Sequence, residues 1–84
     1  MTRKTIELID ELFASGQLHD MVKLGFVHPS AIVNRNIYHA YNSRVITTGS
    51  KMQAMEDVAE NFGVSFETVR LARRTMDFEF VKNN

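Results

Sequence analysis

Apolar residues recur at helical spacing along most of the chain, separated by short polar turns. Ile6, Ile9, Leu12 and Phe13 share one face, and Gly16 stands where a left-handed cap closes a helix, which predicts helix one over about residues 4–14. Leu18, Met21 and Val22, extending towards Phe26, continue the pattern into a short second helix stopped by Gly25. His28-Pro29-Ser30 is an entry signal, since proline is tolerated in the first helical turn. Val33, Ile37, Ala40 and Tyr41 form the buried stripe of a third helix. The polar stretch Asn42–Ser50 reads as the longest loop. Ser50 and Gln53 have capping-box spacing and open a fourth helix, in which Met55, Val58, Ala59 and Phe62 face inward before Gly63 breaks it. Ser65 is a good N-cap for a fifth helix from Phe66 to about Asp77, with Val69, Ala72 and Met76 on the buried side. The tail is ambiguous. Phe78 and Phe80 alternate with Asp77, Glu79 and Lys82, a strand-like period that also suits the last turn of helix five. If extended, residues 77–82 offer an edge for pairing with a second chain. The expected class is all-α with about five helices, and residues 1–49 support a C-terminal unit at 50–78.

Residues 55–74 carry the functional signal. Ala59 is small where two helices cross, and Gly63 permits the positive φ of a tight turn. Val58, Phe62, Val64, Val69 and Ala72 are apolar where two helices must pack on each other and on a third, while Ser65 caps the second. The set Ala59, Gly63, Val64, Ser65, Thr68 and Val69 resembles the bacterial helix-turn-helix DNA-binding family over about a quarter of the chain. A wider resemblance, to Trp repressor and replication-initiator DNA-binding domains, rests on helix order alone. The resemblance implies double-stranded DNA as partner and helix five as the reader of the major groove.

With Val69, Ala72 and Met76 buried, the outward face of helix five holds Glu67, Arg70, Leu71 and Arg74. The first residues of a recognition helix lie nearest the base edges, which adds Ser65 and Phe66 to the base-contact candidates. Arginine bonds guanine in bidentate fashion, glutamate accepts from cytosine, and leucine suits a thymine methyl. Each has a plainer role: Glu67–Arg70 as a surface ion pair, Phe66 as packing. Leu71 is the more telling residue, because an apolar side chain centred on the outer face has no core to join. For phosphates, the N-terminus of helix four offers free N–H groups at Ser50, Lys51 and Met52. Arg44, Thr47 and Thr48 in the preceding loop and Arg73 beside the outer face complete the phosphate-contact candidates.

Charge and composition refine this picture. The 84 residues carry 10 basic and 10 acidic side chains, so net charge is zero and a non-specific polyanion binder is disfavoured. Charge is sorted by segment, however: Arg70, Arg73 and Arg74 face only Glu67 in residues 65–76, whereas Lys51 faces Glu56, Asp57 and Glu60 in residues 51–62. The chain has the length of a single domain, no cysteine for a disulfide or thiolate site, and no apolar run of membrane-spanning length, so a cytoplasmic protein is expected. His19, His28 and His39 lack metal-ligand spacing, and no catalytic constellation is found, so neither an enzyme nor a cofactor is expected. Ile6, Leu8, Leu12 and Phe13 exceed what one helix face in a small domain needs, which points to a homodimer. The reading is a small bacterial transcriptional regulator. Its alternatives are a protein-interaction module that keeps the helix-turn-helix without DNA, and a DNA-binding component of a recombination or mobile-element system.

Overall fold

The computed structural model describes residues 1–81. The chain runs β1 (Thr2–Lys4), α1 (Thr5–Ala14), α2 (Gln17–Lys23), α3 (Ser30–Thr48), α4 (Lys51–Phe62), α5 (Phe66–Asp77) and β2 (Glu79–Val81). The fold is all-α, with five helices and one short ribbon among the described residues. Backbone chemistry explains most helix ends. The backbone N–H of Lys4 donates to Glu7 Oε2 (3.3 Å) as α1 begins, and the N–H of Ser30 donates to the His28 ring (3.1 Å) as α3 begins. Among the described residues no helix is long and apolar enough to cross a membrane.

The core lies between the last three helices. Ile37 and Tyr41 of α3, Ala54, Met55, Val58 and Ala59 of α4, and Val69 and Ala72 of α5 form one buried cluster. Helix α3 is the hub, packing on both α4 and α5, while α1 leans against α3 and α5, and α2 packs chiefly on α1. Two residues expected inside lie further out: Phe62 is 37% exposed and Val33 45%. Phe62 is the last residue of α4, and Val33 lies in the first turns of α3, short of the cluster that starts at Ile37.

The expected loop over Asn42–Ser50 is absent, because α3 continues to Thr48. Three contacts hold this polar stretch in a helix. Val45 packs against the core; Arg44 reaches across to Asp57 on α4 (Nε–Oδ2 3.2 Å); and the hydroxyls of Thr47 and Thr48 return to the carbonyls of Ser43 (3.0 Å) and Arg44 (2.7 Å). Gly49, at φ 70°, then ends the helix with its N–H on the Val45 carbonyl.

The tail is a strand from Glu79 to Val81, and its partner is the chain's own start. The pairing is antiparallel, with Thr2 opposite Val81, Arg3 opposite Phe80 and Lys4 opposite Glu79. The backbone N–H of Thr5 continues the ladder to the Phe78 carbonyl (2.8 Å), which also accepts from the Thr5 hydroxyl (3.1 Å). The strand-like alternation thus reflects an intrachain ribbon rather than a last helical turn; Lys82 lies outside the described residues.

Candidate nucleic-acid interface

The α4–turn–α5 unit is built by its end groups. Gly63 adopts φ 65°, so the chain can reverse while Val64 N–H reaches the Ala59 carbonyl (3.0 Å) and Gly63 N–H the Glu60 carbonyl (3.2 Å). This pair of bonds satisfies two of the orphan carbonyls at the end of α4 and seats Val64 against the core. Ser65 then starts α5 by accepting from Thr68 N–H (3.2 Å). Ser50 does the same for α4, accepting from Gln53 N–H (3.2 Å). Only half of the expected capping box forms: the Gln53 amide turns along the helix to Asp57 Oδ1 (2.9 Å) instead of back to Ser50, and Ser50 N–H bonds the Thr48 hydroxyl (3.3 Å).

On α5 the outer ridge is open. Glu67, Arg70, Leu71 and Arg74 are all exposed, and Leu71 retains 53% of its surface. Glu67 and Arg70 form an ion pair (3.2 Å) in which both side chains remain more than half exposed, so it contributes only tenths of a kcal/mol. Phe66 is 41% exposed rather than packed away.

Residues from both candidate groups meet in one groove. Lys51, Met52 and Met55 of α4, Phe66, Arg70 and Arg73 of α5, and Tyr41 of α3 line one cleft. The guanidinium carbon of Arg73 lies over the Tyr41 ring, 4.1 Å from its centroid. This cation–π contact steadies the guanidinium, and its N–H donors can still meet an anion. A second, neighbouring depression is lined by Arg70, Arg73, Arg74 and Asp77. The one carboxylate there is already engaged, accepting from the Tyr38 hydroxyl (2.6 Å) and facing Lys4 Nζ (3.6 Å). Burial, followed by this contact with Asp77, pushes the Tyr38 hydroxyl above its ordinary pKa. The ridge and both depressions therefore present a cationic face on a chain of zero net charge.

No protein-family model, curated protein or solved structure matches this chain.

Other candidates sit elsewhere or are occupied. Arg44 is on α3, ion-paired with Asp57, whose carboxyl is held below its usual range by the bonds from Arg44 and Gln53. The hydroxyls of Thr47, Thr48 and Ser65 are taken up by helix-end bonds. Asp57 is thus neutralised locally, while Glu56 and Glu60 lie five and nine residues along α4 from Lys51, about 7.5 and 13.5 Å from its N-terminal end. Tyr41 was not among the sequence candidates for a DNA contact, and Met52 was one only through its backbone N–H. Tyr41 carries the helical-stripe signal of a core residue, which it is, and nothing local shows that its ring face would meet Arg73. Away from this face, His39 Nε2 donates to both oxygens of Asp10 (2.9 and 3.0 Å) and Arg35 Nε adds a third bond (2.7 Å). Burial raises the Asp10 pKa, but the bonds from His39 and Arg35 outweigh it and hold the carboxyl below its ordinary value.

Proposed function

We propose that this protein binds double-stranded DNA in a sequence-specific manner, with the outer ridge of α5 in the major groove, and acts as a small transcriptional regulator. The observation that carries the reading is the open ridge Arg70-Leu71-Arg74. An exposed apolar side chain flanked by two guanidinium groups suits base edges and thymine methyls. Glu67 and Phe66 extend the reading face towards the start of α5. Lys51, Arg73 and the Ser50-capped end of α4 serve the flanking phosphates. One short helix reads few base pairs, so two copies on spaced half-sites form the working unit.

The test is binding of fluorescent duplex DNA, with the preferred site selected from a random library. Arg70→Ala or Arg74→Ala is expected to weaken the selected site by about 1–3 kcal/mol and relax preference at one position. Absence of binding at tens of micromolar protein and low salt would refute the reading. The zero net charge and the exposed Glu56 and Glu60 favour a second reading, a protein-interaction module that uses the same ridge.

A further inference from the structure

A carboxylate on a surface that meets nucleic acid calls for an explanation, because the phosphate backbone repels it. Glu67 is the one acidic side chain among the four ridge residues Glu67, Arg70, Leu71 and Arg74, and 72% of it is exposed. In the major groove it needs a hydrogen-bond donor, and the bases offer two there: the N6 amino group of adenine and the N4 amino group of cytosine. Glu67 Oε2 accepts from Arg70 Nη1 (3.2 Å). Its Oε1 accepts no hydrogen bond among the described residues, which leaves one oxygen for a base.

The neighbours of Glu67 decide between the two bases. Leu71 follows it by four residues, so the two side chains stand together on the helix, with Cβ atoms about 5–6 Å apart. Round the helix, Arg70 lies about 60° to one side of Glu67 and Leu71 about 40° to the other. The ridge thus presents, in order, a guanidinium, a carboxylate and an exposed alkyl group. The major-groove edge of a G·C pair runs in the matching order, with guanine N7 and O6 as acceptors and then cytosine N4 as donor. Next to N4 is C5, which carries hydrogen in cytosine and a methyl group in 5-methylcytosine. An A·T pair also has an amino and a methyl group, but thymine O4, an acceptor, stands between them. No ridge residue lies between Glu67 and Leu71 to donate to it.

We propose that Arg70, Glu67 and Leu71 together read one guanine·5-methylcytosine pair, so that methylation of cytosine at C5 strengthens the binding site in duplex DNA. Arg70 donates to the guanine, Glu67 Oε1 accepts from the cytosine amino group, and Leu71 covers the methyl group. The Glu67–Arg70 ion pair holds acceptor and donor side by side, as N4 and O6 are held in the base pair. The inference rests on the proposed placement of α5 in the major groove and adds a chemical mark to what is recognised there.

The experiment uses the full chain and the duplex selected from a random library. Each cytosine of the site is replaced in turn by 5-methylcytosine, or by thymine with adenine opposite, and affinity is read by fluorescence anisotropy. At one position in the half-site, 5-methylcytosine is expected to bind ~4-fold tighter than cytosine, the effect of burying one methyl group. It is expected to bind at least ~5-fold tighter than thymine there, the lower end for a wrong base. Leu71→Ala is expected to bind the methylated and unmethylated duplexes equally. Glu67→Gln, whose amide both donates and accepts, is expected to keep the methyl preference and lose the discrimination against thymine. Both side chains are exposed, so the circular dichroism of the variants is expected to match the wild type. Wild-type affinity that 5-methylcytosine raises at no position overturns the inference. So does a methyl preference that survives in Leu71→Ala, or thymine bound as tightly as 5-methylcytosine by the wild type. Each of these results leaves duplex binding itself standing, whereas no binding to any duplex removes the groove placement and this inference with it.

Discussion

Arg73 offers a sharp test, because its role predicts a change in salt dependence as well as in affinity. Of the cations on the α5 face, Arg70 is paired with Glu67, while Lys51, Arg73 and Arg74 have no acidic partner within ion-pair distance among the described residues. If Lys51 and Arg73, the two proposed phosphate contacts, displace counterions from the duplex, each copy contributes about −1.8 to the slope of log K against log salt. Raising salt from 50 to 200 mM should then weaken binding about 12-fold per copy. Arg73→Ala removes one of the two, so the contribution should fall to about −0.9 and the loss to about 3.5-fold per copy. The weakening should be similar on selected and unrelated duplexes, since a phosphate contact carries no sequence information. Fluorescence anisotropy at four or five salt concentrations supplies both slopes. The variant also loses its stack on Tyr41, a cost of about 0.5–1 kcal/mol in stability, so thermal melts should accompany the titrations. An Arg73→Ala slope equal to that of the folded wild type would refute the phosphate role. A wild-type slope near zero would refute the electrostatic reasoning altogether.

Two further outcomes test the fold. Val58 is fully buried in the α3–α4–α5 cluster, so Val58→Ala should cost about 2–3 kcal/mol from lost burial and the cavity left behind. For a domain of this size that lowers Tm by about 10–20 °C, measurable by circular dichroism. Asp10 and Asp57 both have lowered folded-state pKa values, so the stability they contribute is fully present above the unfolded value of about 3.9 and is lost as pH falls through the lower folded values. Denaturant titrations between pH 5 and pH 2 should show this decline, and it should be shallower in Asp10→Asn.

The elements that could be read directly from the chain are those whose ends are made by neighbouring residues. Ser50 and Ser65 cap helices three residues downstream, and Gly63 takes up its left-handed turn through bonds to Ala59 and Glu60. Every group involved lies within a few positions, so α4, the turn and α5 follow from local preference and periodicity. The same holds for the outward placement of Arg70, Leu71 and Arg74, which the helical repeat alone dictates once Val69, Ala72 and Met76 are inside.

Tertiary contacts decided the rest. Asn42–Thr48 has the composition of a loop and is helical because Val45 finds the core and Arg44 finds Asp57 thirteen residues away. Thr2–Lys4 carries no local strand signal and becomes one only because Glu79–Val81 lies beside it. The cleft that joins Tyr41 to Lys51, Arg70 and Arg73 unites three helices, and no single helical wheel contains it. Local rules act over one or two turns, whereas these features arise from residues that meet only after the helices have packed.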